Sequence, residues 1–274
     1  MNKSNQLKVA IAQMASGADK ADNVRCAVDL TGRAADQGAR VVALPETFDY
    51  RGESIDLQNV AEPLPGTALA PLQRLAAERE LWILAGSVHE HNPKGRPFNT
   101  SVLIGPDGDI VAAYRKTHLF DITIDDRSVS ESTKYAAGSE VVLAYAAGIR
   151  MGLSICYDIR FPELYREMAA SGVDLIFIPS SFTRMTGAAH WEVLVRARAI
   201  ENLSFVVAPG QSGTGAGGIP THGHSMIVDP WGRVLARASN EENTLLFADL
   251  DLETLTEARQ QLPALHNRKL PLIR

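Results

Sequence analysis

Three side chains with complementary chemistry stand far apart in the sequence: Glu46, Lys116 and Cys156. Each directly follows a short apolar segment, VVALP, IVAAYR and MGLSI respectively. Such segments are typical of buried β-strands, and strand ends are where α/β proteins collect their catalytic groups. Singly, a lysine is most often a surface residue, a Pro-Glu pair a turn and a lone cysteine a small buried hydrophobe. Their shared position at strand ends instead indicates one site.

The chemistry available to this set is nucleophilic attack by sulfur. A thiol attacks as the thiolate, and because its ordinary pKa is about 8.5 it needs a partner that takes the proton. We predict that Cys156 is the nucleophile and that Glu46 accepts its proton and later delivers it to a leaving amine or ammonia. Lys116 would stabilise the tetrahedral oxyanion, with the backbone N–H of Tyr157 as a second donor. No cofactor and no metal ion is expected for this reaction.

Alternating strands and helices are the elements that must position these residues. Strands are predicted at 7–13, 41–44, 81–87, 101–105, 110–115, 151–155, 173–179, 203–208, 224–229 and 245–251. Helices are predicted at 20–37, 71–80, 162–171, 188–202 and 252–261, with proline in the first turn of the second and third. The segments GPDGD (105–109) and DPWGR (229–233) predict two hairpins. An α/β protein with mixed sheets is therefore expected.

Composition and charge exclude several classes of protein. The chain has 274 residues, with 27 Lys and Arg against 32 Asp and Glu, and a net charge of −5. This acidic balance predicts no binding to nucleic acid or to an anionic membrane. The sequence has no apolar run of membrane-spanning length and begins with a strand-like segment, so a cytoplasmic location is expected. Since no linker or low-complexity tract interrupts the pattern, we expect a single domain over 1–274.

Other patterns suggest alternative sites that we weigh against the first. The segment GTGAGG (213–218) matches a dinucleotide fingerprint, but IPTHGHS follows it instead of a helix, so a flexible loop is predicted. His222 and His224, with His190 or His118, could ligate zinc, but no carboxylate has a suitable spacing. Histidines held by hydrogen bonds near a pocket are the simpler expectation.

Three further patterns involve a serine, a histidine and a group of aspartates. In GLSIC, Ser154 is not expected to be a hydrolase nucleophile, because Cys156 stands where that motif needs glycine. A thiol protease pairing Cys156 with His224 stays an alternative. Asp121, Asp125 and Asp126 are expected to form a solvated loop.

The segments around the reactive residues resemble the nitrilase superfamily of carbon-nitrogen hydrolases. The resemblance rests on ALPETF (43–48), YRKTHLFD (114–121) and GLSICYDIRFPELYR (152–166), and extends to AHWEVLVRARAIEN (189–202), GHSMIVDPWGRVLA (223–236) and RQQLPALHNR (259–268). It implies that Glu46 is the general base, that Lys116 is the catalytic lysine and that Cys156 is the nucleophile. The superfamily also carries a second glutamate, which corresponds here to Glu131 in ESTKYAAG and is expected to orient Lys116.

The resemblance also implies an architecture and an assembly. The fold class is α/β, a four-layer α-β-β-α sandwich with two mixed β-sheets. Members of the superfamily associate through the helices that follow the nucleophile segment. Here the segment 189–201 is apolar nearly all round, as expected for a helix buried on two sides. A homodimer or higher homo-oligomer is expected, with the C-terminal tail at about 259–274 packing at a subunit interface.

Within the superfamily, the segments RFPELYR, AHWEVLVRARAIE and GHSMIVDPWG resemble most the deaminated glutathione amidase branch, with omega-amidase next. The N-carbamoyl amino acid hydrolases carry adjacent arginines three and four residues after the cysteine, whereas Ile159 precedes Arg160 here. Substrates of the first two branches carry a carboxylate, so Arg160 and Arg184 are predicted to bind it. A catalytically silent binding protein on the same fold is the alternative from a different class, and the intact reactive set argues against it.

Overall fold

The computed structural model describes residues 5–53, 57–124, 127–215 and 218–270. In these ranges the chain forms two six-stranded sheets and a separate two-stranded hairpin. The strands are β1 (Gln6–Gln13), β2 (Val41–Ala43), β3 (Trp82–Glu90), β4 (Phe98–Ile104), β5 (Ile110–Arg115), β6 (Asp121–Ile124), β7 (Arg127–Ser130), β8 (Val142–Ala146), β9 (Ile149–Leu153), β10 (Leu175–Phe177), β11 (Phe205–Ala208), β12 (Met226–Val228), β13 (Val234–Arg237) and β14 (Thr244–Asp251). The helices are α1 (Lys20–Asp36), α2 (Leu57–Val60), α3 (Gly66–Arg79), α4 (Pro162–Ala170), α5 (Arg184–Asn202) and α6 (Leu252–Gln261), with short 3-10 helices at Glu131–Thr133 and Cys156–Arg160.

Both large sheets are mixed, with parallel strands at the centre and antiparallel strands at the edges. The first sheet has the order β14-β1-β2-β3-β4-β5, in which β1, β2 and β3 are parallel. The second sheet has the order β13-β12-β11-β10-β9-β8, in which β9, β10 and β11 are parallel. The two hairpins predicted from Pro-containing turns are confirmed as β4–β5 and β12–β13.

The alternation of side chains along β1 explains the layers. Val9 and Ile11 belong to the apolar cluster that the two sheets share. Ala10 and Ala12 point the other way and pack with side chains of α1 and α3. Helices α4 and α5 add their buried side chains to the second sheet. The α-β-β-α sandwich predicted from the sequence is therefore confirmed.

Two helices begin earlier than predicted. Helix α3 begins at Gly66 and contains Pro71 in its interior, so a start at Pro71 was wrong. Although Pro71 removes one backbone hydrogen bond, buried side chains such as Leu69 and Leu72 on either side of it hold the helix against the sheet. Helix α5 begins at Arg184 because the hydroxyl of Thr183 accepts the N–H of Thr186 at 3.4 Å. No helix within the described ranges has the length and apolar character needed to cross a membrane.

Two regions of strand were not predicted. Strand β8 pairs with β9 through a tight turn at Ala147 and Gly148, which both have positive φ. The loop expected at Asp121 is wrong, because Asp121 begins β6. Its side chain is exposed, as expected, and its carboxylate accepts the backbone N–H of Ser132 at 2.9 Å. Asp125 and Asp126 lie outside the described residues. These strands are short, and the sequence pattern alone does not separate such strands from loops.

Candidate active site

A cavity of about 240 Å³ opens where strands of both sheets end. Its lining includes all five residues of the predicted catalytic set, namely Glu46, Lys116, Glu131, Cys156 and Tyr157. The first sheet carries Glu46 after β2 and Lys116 after β5, and the second carries Cys156 after β9. Glu46 and Cys156 therefore lie in one cavity although they are 110 positions apart in sequence.

The position of Glu46 depends on an irregularity in the neighbouring strand. The pairing of β3 with β4 shifts between Ala85 and Val88, and Gly86 in this bulge has φ +23°. A Cβ atom at Gly86 would lie 1.9 Å from the carbonyl oxygen of Pro45. The backbone before Glu46 can therefore pass close to β3 only because residue 86 is glycine.

Lys116 lies between two carboxylates and is 2% exposed. Its Nζ is 2.9 Å from Glu46 Oε1, and 2.8 and 3.0 Å from the two carboxylate oxygens of Glu131. Burial alone would lower the pKa of Lys116, but the charges of Glu131 and Glu46 raise it well above its ordinary value. Lys116 is therefore a fixed cation whose position both glutamates determine.

Cys156 stands at a sharp turn from β9 into the 3-10 helix and has φ +48°, an uncommon conformation for a residue other than glycine. Its N–H donates to the carbonyl oxygen of Pro179 at 2.9 Å. Burial and the negative charge of Glu46 raise the pKa of the Cys156 thiol well above its ordinary value, although Lys116 opposes them. A neutral thiol beside a carboxylate is thus the resting pair.

Tyr157 contributes its backbone at the first turn of the 3-10 helix Cys156–Arg160, and the N–H groups of a helix start have no partner within the helix. Its ring lines the cavity and makes edge-to-face contacts with Phe120 and Phe161, with centroid separations of 5.0 and 5.3 Å. These contacts fix the turn that carries the candidate oxyanion donor.

Two further contacts orient the carboxylates and were not predicted. Asn99 on β4 donates through Nδ2 to Glu46 Oε1 at 3.0 Å and to Glu131 Oε1 at 3.4 Å. The backbone N–H of Ser181, which follows β10, donates to Glu46 Oε2 at 2.8 Å. Asn99 lies before the strand predicted at 101–105, so no sequence signal marks it, whereas Ser181 follows the end of the strand predicted at 173–179.

The two arginines predicted to bind a carboxylate do not line the cavity. The guanidinium of Arg160 lies 5.8 Å from the ring of Tyr157 and 5.4 Å from that of Phe182, and both rings line the cavity. One Arg160 Nη atom is 3.3 Å from His190 Nδ1. Arg184 is exposed at the start of α5. The cations that do line the cavity besides Lys116 are Arg51 and Lys134 among the described residues.

The histidines weighed as zinc ligands are used in other ways. His118 Nδ1 is 2.7 Å from Asp158 Oδ1, and its ring stacks on Phe161. His222 stacks on His224 at 4.2 Å, and burial lowers the pKa of His222 to about 4. Across the described ranges no cluster of three His, Cys, Asp or Glu side chains is arranged to hold a metal ion.

The structure also places the residues of the remaining alternative sites. Ser154 is buried, and its hydroxyl donates to Phe177 O at 2.8 Å, which is a structural contact. His224 is absent from the described lining of the cavity that holds Cys156. In the 213–218 segment, residues 216 and 217 lie outside the described residues, and no helix follows Gly218.

Together, a buried thiol, a carboxylate and an ammonium group in one cavity can carry out acyl transfer through sulfur. The carbon-nitrogen hydrolase family model matches residues 8–260, so the chain belongs to that family and is a hydrolase. It is 40% identical over 264 residues to a deaminated glutathione amidase of Synechocystis sp. (strain PCC 6803 / GT-S), covering 94% of this chain and 97% of that protein. It is 37% identical to the omega-amidase NIT2 of Mus musculus, covering 97% and 96%.

Solved structures agree with the fold. The crystal structure of Saccharomyces cerevisiae Nit3, a member of branch 10 of the nitrilase superfamily, superposes with a TM-score of 0.85 at 29% identity. The match covers 94% of this chain and 94% of that chain. The resemblance to the nitrilase superfamily predicted from the sequence is confirmed.

Proposed function

We propose that the enzyme is an amidase that hydrolyses deaminated glutathione to 2-oxoglutarate and cysteinylglycine. The observation that carries this proposal is the buried contact of Lys116 with Glu46 and Glu131 beside the Cys156 thiol. The similarity to a deaminated glutathione amidase supports the choice of substrate. Omega-amidase activity on 2-oxoglutaramate is the second candidate, which the similarity to NIT2 supports.

The reaction begins with transfer of the Cys156 proton to Glu46 as sulfur attacks the amide carbonyl carbon. The tetrahedral oxyanion accepts hydrogen bonds from Lys116 and from the Tyr157 N–H. Glu46 then gives the proton to the leaving amine, and a thioester with Cys156 remains. In the second half, Glu46 takes a proton from water, the resulting hydroxide attacks the thioester, and the thiol leaves with that proton. Glu131 holds Lys116 in position throughout.

The thioester gives the first test. Substrate mixed with the enzyme and quenched in acid should leave an acyl group on the peptide that contains Cys156, visible as a mass increase, and Cys156→Ala should lose essentially all turnover. Cys26→Ala is the matched control. Cys26 lies half-buried on α1, where burial raises the pKa of its thiol and disfavours its reactive form. Substantial turnover by folded Cys156→Ala would reject the mechanism and would leave a catalytically silent binding protein or another chemistry open.

The substrate is tested by comparing kcat/KM on deaminated glutathione and on 2-oxoglutaramate. We expect the first to be preferred, because contacts to the peptide portion that persist in the transition state raise kcat/KM. Preference for 2-oxoglutaramate would make the enzyme an omega-amidase. Turnover of N-carbamoyl amino acids alone would assign it to the carbamoylases instead.

A carboxylate-binding role of Arg160 and Arg184 stays a prediction. Arg160 has the stronger support, because its guanidinium packs against Tyr157 and Phe182, two aromatic residues that line the cavity. Loss of kcat/KM in Arg160→Met with full activity in Arg184→Met would assign the role to Arg160 alone.

We also propose a homodimer that forms through α5, with the tail at about 259–274 at a subunit interface. Residues 271–274 of that tail lie outside the described residues. In the single chain, Trp191 of α5 is buried, whereas Val193 is 68% exposed and Ile200 42% exposed. A helix with one apolar face in the core and another uncovered supports association through that second face. A cytoplasmic location also stays a prediction, which cell fractionation tests.

A further inference from the structure

Arg51 is a cation of the cavity that the reaction as described does not use. It follows Glu46 by five residues and lines the same cavity as Cys156. Its Nη1 atom is 3.3 Å from Gln211 Oε1 and 3.4 Å from the carbonyl oxygen of Ser212. A Cβ atom at Gly215 would lie 2.5 Å from Arg51 Nη2, so the guanidinium packs closely against this loop.

These contacts leave most of the guanidinium uncommitted. The group has five N–H donors, and both hydrogen bonds are long and come from one nitrogen. Among the described residues Arg51 forms no ion pair within 4 Å, whereas the buried Lys116 has two carboxylate partners. Arg51 is therefore held in place by neutral oxygens and has donors left for another partner.

The charge of the cavity lining also favours an anionic ligand. The Asp, Glu, Lys and Arg residues of its described lining are Glu46, Glu131, Lys116, Arg51 and Lys134. Lys116 contacts both glutamates, so Arg51 and Lys134 give the lining a positive formal charge in a protein whose net charge is −5. A local excess of positive charge in an acidic protein attracts an anion to this cavity.

Burial lowers the pKa of Arg51 to about 10, and the group still carries its charge at neutral pH. The charge of Glu46 opposes that shift but forms no ion pair with Arg51, so an anion that enters the cavity reduces the remaining cost of burying this cation. A carboxylate can accept two parallel hydrogen bonds from the Nε and Nη donors of an arginine.

We propose that Arg51 binds a carboxylate of the substrate and that, with Lys134 as a second cation, it makes the site select anionic amides. This inference rests on the proposed amidase function and deepens it. A deaminated glutathione molecule carries one carboxylate on the acyl side and one on the glycine of the leaving group. The structure assigns Arg51 to carboxylate recognition, and the experiment identifies which of the two ends it binds.

The test compares the wild-type enzyme with Arg51→Met, Arg51→Lys and Lys134→Met. Three substrates are used: deaminated glutathione, the same compound with the glycine carboxylate converted to an amide, and the same compound with the 2-oxo acid carboxylate converted to a methyl ester. A lost charge-assisted hydrogen bond lowers kcat/KM by about 10- to 100-fold. We expect Arg51→Met to show that loss on deaminated glutathione and on one analogue, and less than threefold loss on the analogue that lacks the carboxylate Arg51 binds.

Rescue and control variants separate recognition from a structural role. Arg51→Lys keeps the charge and should recover part of the preference for the charged substrate. Lys134→Met should lose less than Arg51→Met, because no other side chain of the described residues holds the Lys134 ammonium by a hydrogen bond or ion pair. Arg74→Met, which changes an exposed arginine of α3 outside the cavity, should match the wild type. An equal loss on all three substrates in Arg51→Met would show that Arg51 supports the loop, and no loss would show that it does not contact substrate. Either result overturns the inference.

Failure of the proposed function is recognised separately. If the wild type hydrolyses neither deaminated glutathione nor 2-oxoglutaramate, that function is rejected. The same variants are then compared on glutaramate and on its uncharged counterpart glutaramide. A selective loss on glutaramate in Arg51→Met would support carboxylate recognition, and equal rates on both amides in the wild type would reject it.

Discussion

At the scale of single residues, burial decides whether the proton lies on Cys156 or on Glu46. Glu46 is 4% exposed and Cys156 8% exposed, so any charge that they carry is poorly solvated. Lys116 compensates the carboxylate of Glu46, but the raised pKa of Cys156 keeps the proton on sulfur in the resting site. Transfer of that proton to Glu46 becomes favourable when the sulfur forms a bond to the carbonyl carbon of a bound substrate. We therefore propose that Glu46 and Cys156 act as base and nucleophile and react only when substrate is present.

Replacing Lys116 with methionine should damage both turnover and folding. The ammonium is lost from the oxyanion site, so kcat should fall by about 10² to 10³. Glu46 and Glu131 would also be left buried without their cation, which should cost about 3 to 5 kcal/mol in the free energy of unfolding. Steady-state kinetics and urea unfolding measure the two effects.

Two glutamine variants are the matched controls for this prediction. Glu46→Gln should lower kcat by about 10² to 10⁴ through loss of the base, and Glu131→Gln should be milder because Glu131 acts through Lys116. If Lys116→Met remained active and as stable as the wild type, the role assigned to Lys116 would be wrong.

At the scale of elements, the β3 bulge carries Glu46 to the cavity. The carbonyl oxygen of Ser87 in the bulge accepts the N–H of Phe48, and the Ser87 hydroxyl accepts that of Thr47 at 2.8 Å. Thr47 has φ +49°, so the backbone next to Glu46 adopts an uncommon conformation that these bonds hold. A change in the bulge would therefore move Glu46, the residue that we propose as general base.

Gly86→Ala tests this positioning. The new Cβ would lie 1.9 Å from Pro45 O and 2.5 Å from Leu44 O, and no flexible side chain can move to make room. We expect a loss of at least about 1 to 3 kcal/mol in the free energy of unfolding. Because a displacement of about 1 Å can cost 10²-fold in rate, kcat should fall as well. Gly17→Ala, where nothing lies within 4 Å of the new Cβ, should change neither value. Wild-type kcat in Gly86→Ala would show that the bulge does not position Glu46.

The sequence predicts those residues of the site that are marked by neighbouring residues in the chain, and it misses those that strand pairing or loop packing brings in. Glu46 and Cys156 each follow a recognisable strand, and one rule about strand ends brings them together. Asn99 and Ser181 reach the same carboxylate only because β4 pairs with β3 and β10 with β9, and neighbouring strands are not specified by local pattern. Arg51 stands outside any predicted element, and its role depends on a loop about 160 residues later in the chain.

The elements of the fold likewise divide into those that local sequence predicts and those that it does not. Strands with β-branched runs and hairpins with Pro-containing turns are predicted, because periodicity and turn chemistry are local properties. The early start of α3 and the strand β8 depend on packing against distant elements, which overrides local propensity.

At the scale of the whole molecule, the candidate active site lies between two sheets that each supply part of it. The first sheet supplies Glu46 and Lys116, and the second supplies Cys156 and the Ser181 N–H that orients Glu46. Packing of the sheets through their shared apolar cluster therefore fixes the distance between Glu46 and Cys156.

Helix α5 connects this site to the surface where we propose that two copies meet. Its N-cap residue Thr183 lines the cavity, and further along the helix Val193 and Ile200 are exposed. Arg196 Nε donates to the carbonyl oxygen of Gly232 at 2.9 Å, so the β12–β13 hairpin lies beside this face. The hairpin adds exposed apolar residues, namely Trp231, Val234 and Leu235. The combined patch is of the kind that a subunit interface covers.

Val193→Glu should separate the proposed dimer into monomers, because the carboxylate would be buried without a partner in the interface. Analytical ultracentrifugation over a range of protein concentrations measures the dissociation. The free helix should then hold Thr183 and its neighbours less firmly, so kcat/KM should fall in parallel with the fraction of dimer and recover at high protein concentration. Val111→Glu, at an exposed position of β5 on the first sheet, is the matched control and should leave the assembly unchanged. A wild-type enzyme that stays monomeric at micromolar concentration and is fully active would contradict both the interface and its connection to the active site.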